Sequence, residues 1–170
     1  MRLSREILIS ESALKTRVDA MARAIAADSP DGGALSVLII LDGAFMFGGD
    51  LVRRLPMPVR TALVPLPSID RGGDPTRLAL PDGFPIEGAD VLVVEDILDS
   101  GRTLAALKAE LLRRRPRSLR IAVLLDKPAR RSAPFVPDYV GFEVPDRWIV
   151  GYGLDAEGLY RNLPYISFLE

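Results

Sequence analysis

One segment, Val91-Leu92-Val93-Val94-Glu95-Asp96-Ile97-Leu98-Asp99-Ser100-Gly101-Arg102-Thr103-Leu104, limits the possible architecture more than any other. Val91 to Val94 is an unbroken apolar run, as expected of a strand buried on both faces, and such strands belong to parallel sheets covered by helices. The run ends in two carboxylates, Glu95 and Asp96. A short turn then supplies Asp99, Ser100, Gly101, Arg102 and Thr103 before a helical pattern begins at Leu104. Ligands of open α/β sheets bind outside the carboxyl ends of the strands. A turn that opens a helix presents free N–H groups and the positive end of the helix dipole, which suit a phosphate. The segment therefore predicts an anion cradle with acidic groups beside it, fitted to a ligand that has both a phosphate and a polyol or metal.

The rest of the chain repeats the alternation. Leu14, Val18, Met21, Ala22 and Ile25 are spaced for one face of a helix, with Ser10 as its N-cap. Leu35–Leu41 predicts a buried strand, Gly43 opens a second helix that ends near Pro56, and Val59–Val64 predicts a third strand. Residues 65–88 are rich in Pro, Gly and Asp, and a loop of that length inside a domain is expected to be mobile and functional. A helix over Leu104–Arg114 and a strand over Leu119–Leu125 follow, then short strands around Tyr139–Phe142 and Trp148–Val150. Strands alternating with helices predict an α/β fold: a doubly wound, mainly parallel sheet flanked by helices, in a single domain over 1–170 with a mobile loop at about 65–88.

Composition narrows the chemistry. The 170 residues include no histidine and no cysteine, which excludes disulfides, thiolate metal sites and histidine-dependent triads. Acid–base work falls to carboxylates, lysines, tyrosines or water. A formal net charge of −1 supplies no global field for nucleic acid, so an anionic ligand must be held locally. No apolar stretch approaches the ~20 residues of a membrane span, and Met1–Glu6 lacks a signal-peptide core; with cysteine absent, a cytoplasmic setting is expected. Gly151-Tyr152-Gly153-Leu154-Asp155-Ala156 fits a dinucleotide fingerprint, but too little chain follows to complete a βαβ unit of ~30 residues.

The Glu95–Thr103 stretch resembles the phosphoribosyl-pyrophosphate signature of the type I phosphoribosyltransferases, in which apolar residues precede paired acids and a turn of the form Asp-Ser/Thr-Gly-x-Thr. Leu124–Arg131, Asp138–Asp146 and Val150–Asp155 running on to Tyr160–Tyr165 are similar to the hypoxanthine-guanine branch of that family. The likeness spans nearly the whole chain, with several motifs in the same order.

The resemblance implies the type I phosphoribosyltransferase fold, with a small hood built from the N- and C-terminal segments. It implies transfer of a phosphoribosyl group from phosphoribosyl pyrophosphate to a 6-oxopurine with Mg²⁺ as cofactor, and a homodimer or homotetramer that meets neither nucleic acid nor membrane. Asp99, Ser100, Gly101, Arg102 and Thr103 would hold the 5′-phosphate, with Asp99 also the general base. Glu95 and Asp96 would accept from the ribose hydroxyls and, with Asp155, form the metal-linked carboxylates. Asp42, Gly43 and Arg161 would meet pyrophosphate. Lys127 alone reads as a surface lysine; the likeness places it on O6 of the purine. Trp148 alone reads as core packing; the likeness makes it the stacking partner of the base, with Ile149 and Asp155 beside the purine.

Two positions depart from the family. Asp42 stands between Leu41 and Gly43 where many members carry Lys or Arg, and 65–74 has no Ser-Tyr pair. A carboxylate beside pyrophosphate is unfavourable, so Asp42 is expected to face away or to reach the anion only through metal or water. Two alternatives stay open at this point: a regulatory or non-catalytic member of the fold that binds phosphoribosyl pyrophosphate, and a transferase for xanthine or another base.

Overall fold

The structure, a computed structural model, describes residues 2–29 and 33–170. Five strands, β1 (Leu35–Leu41), β2 (Val59–Pro65), β3 (Asp90–Leu98), β4 (Ser118–Asp126) and β5 (Tyr139–Glu143), pair in parallel in the order β2-β1-β3-β4-β5. Three helices flank them: α1 (Glu11–Ala27), α2 (Phe45–Val52) and α3 (Arg102–Arg113). The α/β architecture expected from the alternation is thus the one observed. Ser10 caps α1 by accepting from the Ala13 N–H at 3.2 Å.

The two-residue period of the strands sorts their side chains onto two cores. Val37, Ile39, Leu92, Val94, Ala122 and Leu124 face one side, against Leu14 and Val18 of α1 and Phe47 and Leu51 of α2. Leu38, Ile40, Val91, Val93, Ile121 and Val123 face the other, against Leu104, Leu107 and Leu111 of α3. Each such side chain contributes on the order of 1.5–3 kcal/mol when taken from water. Both faces must be covered, so the central strands carry continuous apolar runs, Val37–Leu41, Val91–Val94 and Ile121–Leu125, instead of alternating.

Strand β3 runs four residues past Val94. Glu95 and Asp96 therefore lie within the strand and not in the turn after it, because Ile97 and Leu98 continue the register with Leu125 and Asp126 of β4. Helix α3 begins at Arg102, two residues before the apolar pattern, and α2 spans only Phe45–Val52. In the 65–88 stretch the structure has a short 3-10 turn, Ile69–Arg71, and Leu78 and Ile86 are buried on the α3 side of the sheet.

The ends of the chain form a second layer over one edge of the sheet. β6 (Trp148–Val150) pairs antiparallel with β7 (Ser167–Leu169). The N-terminal segment joins them: Arg2 and Glu170 exchange backbone hydrogen bonds at 2.9 Å, and Ile166 N donates to Ile9 O at 2.9 Å. This is the small hood expected from the two terminal segments.

At the amino ends of β3 and β4, the Arg117 guanidinium donates to both oxygens of Asp90, and Ser118 Oγ donates to Asp90 Oδ1 at 2.7 Å. The Arg117 contact outweighs the opposing effect of burial and lowers the Asp90 carboxyl from 3.8 to about 2. A depressed carboxylate adds stability that is complete above its unfolded value and is lost as pH falls. For Asp90 that loss runs from 3.8 down to about 2. Asp90→Asn is expected to lower stability at neutral pH and to flatten this part of the acid limb. Urea unfolding of both proteins from pH 7 to pH 2 measures it, and parallel pH profiles would remove the pair from the stability of the sheet.

Candidate active site

Because β1 to β5 are parallel, their carboxyl ends meet along one edge of the sheet. The chain leaves β1 toward α2 on one face and leaves β3 toward α3 on the other. A crevice must open where those connections diverge, which is where ligands of this strand order bind. A cleft of about 820 Å³ lies there, roofed by Asp146–Ile149, Leu154, Asp155 and Arg161 of the hood and its approaches.

The floor is the contact between β1 and β3. The loop after β1 passes so close to β3 that a Cβ on Gly43 would lie 1.6 Å from Asp96 Oδ2; only glycine fits. The Leu41–Asp42 peptide in this loop is cis. Glu95 and Asp96 stand side by side, with Asp96 N donating to Glu95 Oε1 at 3.2 Å and Ile97 N to Asp96 Oδ1 at 2.7 Å. Loss of water raises Glu95 well above the ordinary carboxylate range, and the neighbouring Asp96 charge raises it further. Burial also raises Asp96, moderated by its hydrogen bonds and by Arg161. Burial at the floor of the cleft is thus the first cause of the shared upward direction, and the adjacent Asp96 charge adds to it at Glu95 only.

The turn after β3 is held from behind. Ser100 O accepts from Ser132 N at 3.0 Å and Ala133 N at 3.1 Å, while Arg131 donates to Asp99 O, Phe135 O and the Asp126 carboxylate. Gly101, at φ +82°, is the N-cap of α3 and offers no side chain to the first-turn N–H groups. Ser100, Gly101 and Thr103 line the cleft. Asp99 lines it too, and its Oδ1 accepts from Arg130 Nε at 3.0 Å.

Beside the turn, Lys127 is buried at the end of β4, where its backbone N donates to Leu98 O at 3.0 Å and its Nζ to Arg147 O at 2.7 Å. Arg147 is itself fixed by its guanidinium, 4.2 Å above the Phe168 ring. Trp148 is half exposed to the cleft, and Ile149 beside it is buried. On the hood, Asp155 accepts from Gly158 N at 2.6 Å and pairs with Arg161 at 3.0 Å. Arg161 also donates to Gly153 O at 2.7 Å and stands 3.8 Å from Asp42 Oδ2. Asp42 thus turns its carboxylate toward Arg161.

Of the residues expected from the sequence, the fold brings Asp42, Gly43, Glu95, Asp96, Asp99, Ser100, Gly101, Thr103, Lys127, Trp148, Ile149, Asp155 and Arg161 to one cleft. Arg102 is the exception: it opens α3 but pairs with Asp70 at 3.1 Å outside the cleft lining. Glu95, Asp96 and Asp155 do not gather into a metal cage of their own; among the described residues there is no cluster of three or more such ligands. Four charged lining residues, Asp70, Arg130, Asp146 and Arg147, lie outside the set expected from the sequence. Arg130 and Asp146 sit inside the quoted motifs, so a signal existed, whereas Asp70 belongs to a loop with no pattern of its own. Among the described residues the lining holds seven carboxylates (Asp42, Asp70, Glu95, Asp96, Asp99, Asp146, Asp155) against four cations (Lys127, Arg130, Arg147, Arg161). A polyanion entering such a cleft needs additional positive charge.

Residues 6–157 match the phosphoribosyl transferase domain family. The chain is 41% identical to the hypoxanthine phosphoribosyltransferase of Salmonella typhimurium, over 98% of this chain and 96% of that protein. It is 39% identical to the hypoxanthine-guanine phosphoribosyltransferase of Dictyostelium discoideum, over 99% and 97%. Among solved structures, the hypoxanthine phosphoribosyltransferase of Trypanosoma cruzi superposes with a TM-score of 0.89 at 38% identity, covering 98% of this chain and 97% of that one. Similarity at this level over almost the full length of each relative leaves one conclusion: the chain belongs to the hypoxanthine and hypoxanthine-guanine phosphoribosyltransferases.

Proposed function

We propose that this protein transfers the 5-phosphoribosyl group from phosphoribosyl pyrophosphate to hypoxanthine or guanine, releasing pyrophosphate and the nucleoside 5′-monophosphate, in purine salvage. The observation that carries the reading is that Asp99, Ser100, Gly101 and Thr103 line one cleft together with Lys127 and Trp148. On this reading the turn is the phosphate site, Asp99 the proton acceptor and Trp148 the platform for a purine.

The donor set fits Mg²⁺ arriving with the substrate. Mg²⁺ keeps several waters and is bound through one or two carboxylates plus substrate phosphates, not in an all-protein cage. Here hard oxygens are abundant, no three-carboxylate cluster exists among the described residues, and carboxylates outnumber cations. Asp155, through water, and the Glu95–Asp96 pair would hold it, and when bound it would stabilise charge on departing pyrophosphate.

The side chains have separate tasks. The Ser100 and Thr103 hydroxyls and the first-turn N–H groups of α3 receive the 5′-phosphate. Glu95 and Asp96 accept from the ribose hydroxyls; adjacent acids with raised affinity for protons are suited to hold such donors and to share one proton. Arg161 meets pyrophosphate, exchanging its contacts with Asp42 and Asp155 for the ligand's oxygens. Asp42 then reaches the anion through metal or water only. Trp148 stacks on the base, a contact worth ~1–3 kcal/mol. Lys127 spends one of its three N–H donors on Arg147 O and turns another to O6 of the purine. Asp99 takes the purine proton as the glycosidic bond forms, with Arg130 orienting its carboxylate. In a chain without histidine a carboxylate is the available base.

The direct test incubates purified protein with Mg²⁺, phosphoribosyl pyrophosphate and each base, and follows nucleotide formation. Absence of any nucleotide product overturns the reading. In the same assay Asp99→Asn is expected to lower the forward rate by ~10²-fold or more, since general base catalysis contributes 10²–10⁴-fold, with phosphoribosyl-pyrophosphate binding largely kept. An unchanged rate removes Asp99 from proton transfer.

Base choice follows from Lys127. Its ammonium can only donate, so it pairs with a 6-oxo group and confronts a 6-amino group unpaired. Sites built on such a bond reject the mismatched analogue by ~10⁴-fold. Hypoxanthine or guanine is expected to be used and adenine not. Comparing kcat/KM for the three bases checks it, and comparable turnover of adenine sinks the role of Lys127.

A further inference from the structure

The phosphate turn already carries an anion supplied by the chain itself. The 3-10 turn Ile69–Arg71 docks on the start of α3, where Ile69 N donates to Thr103 Oγ1 at 3.2 Å. Beside it the Asp70 carboxylate accepts from Ser100 Oγ on one oxygen and from Arg102 Nη1, at 3.1 Å, on the other. Ser100 and Thr103 are the two hydroxyls of the turn, and both are engaged by this one segment. Asp70 lines the same cleft, with 41% of its side chain still open to solvent. A carboxylate and a phosphate present the same acceptor oxygens to the same donors, so the two cannot hold Ser100 Oγ together. A phosphate dianion carries more charge and more oxygens, and it gains more from the N-terminus of a helix. The incoming group therefore wins, but only by expelling Asp70.

We infer that Asp70 is a built-in competitor for the 5′-phosphate and so determines how tightly this protein holds phosphoribosyl pyrophosphate. The inference rests on the reading that the Asp99–Thr103 turn receives that phosphate. The Pro65–Gly88 stretch, which has no Ser-Tyr pair, is thereby tethered at the phosphate site when the ligand is absent, and phosphate binding releases the tether. Arg102 serves as the resting partner of Asp70, which accounts for its position outside the cleft lining.

The experiment measures binding of guanosine 5′-monophosphate, guanosine and phosphoribosyl pyrophosphate with Mg²⁺ by calorimetry, in wild type, Asp70→Ala and the isosteric Asp70→Asn. Removing an exposed charge-assisted contact is expected to tighten both phosphorylated ligands by about three- to tenfold in Asp70→Ala. Guanosine, which lacks the phosphate, should bind all three proteins alike. KM for phosphoribosyl pyrophosphate should fall with no proportionate fall in kcat. Equal or weaker nucleotide binding in both variants overturns the inference, as does guanosine tightening as much as its monophosphate. If wild type binds the monophosphate no better than guanosine, the phosphate reading of the turn fails and the inference with it. Tight, phosphate-dependent binding that is the same in all three proteins sinks the inference alone.

Discussion

The approach of the loop after β1 to the carboxylate of Asp96 is the constraint on which the site depends. In the order β2-β1-β3-β4-β5, the first and third strands are neighbours whose onward connections pass to opposite faces of the sheet. The crevice this creates is as narrow as Gly43 permits, since any side chain there would overlap Asp96. Lys127, Trp148 and the turn after β3 line the same cleft. A larger residue at Gly43 would have to displace the Asp96 side chain from the floor of the cleft.

Electrostatics shapes the same region. An excess of carboxylates would repel a polyphosphate, yet several of them are matched within the protein. Arg130 lies against Asp99, Arg161 between Asp155 and Asp42, and Arg102 against Asp70. These are partly exposed pairs, individually worth about 0–1 kcal/mol, and therefore easily exchanged for a ligand's oxygens. The less exposed pair of Arg131 with Asp126 is different in kind: Arg131 also donates to backbone carbonyls at Asp99 and Phe135, so it fixes the turn and is not available to a ligand. The cleft thus has a rigid frame with exchangeable contacts on its surface.

Departures from the family pattern fall among the exchangeable contacts. Asp42 stands in the loop after β1 where the family resemblance leads one to expect Lys or Arg, and its carboxylate lies 3.8 Å from Arg161. The 65–88 stretch has no Ser-Tyr pair and instead brings Asp70 to the phosphate turn. Both changes add a negative charge at a place read as an anion site, and both charges are met by arginines that the site would use or displace. Neither alters the two apolar cores.

The sequence by itself determined the fold class and most of the candidate site. Apolar runs at β1, β3 and β4 and the helical spacing at α1 and α3 follow from local periodicity, which survives any tertiary context because each face must be covered. Glu95, Asp96, Asp99, Lys127, Trp148 and Asp155 were legible because each stands in a contiguous motif of a known family. Tertiary structure decided the rest. The length of β3 past Val94 depended on pairing with β4, a partner some thirty residues away. The Arg130–Asp99, Arg161–Asp42 and Asp70–Ser100 contacts join residues 30 or more positions apart, across loops with no periodicity. Local spacing says which face a side chain takes on its own element. It carries no information about which charge from a distant loop will arrive opposite it, because that is set by how the two faces of the sheet are closed.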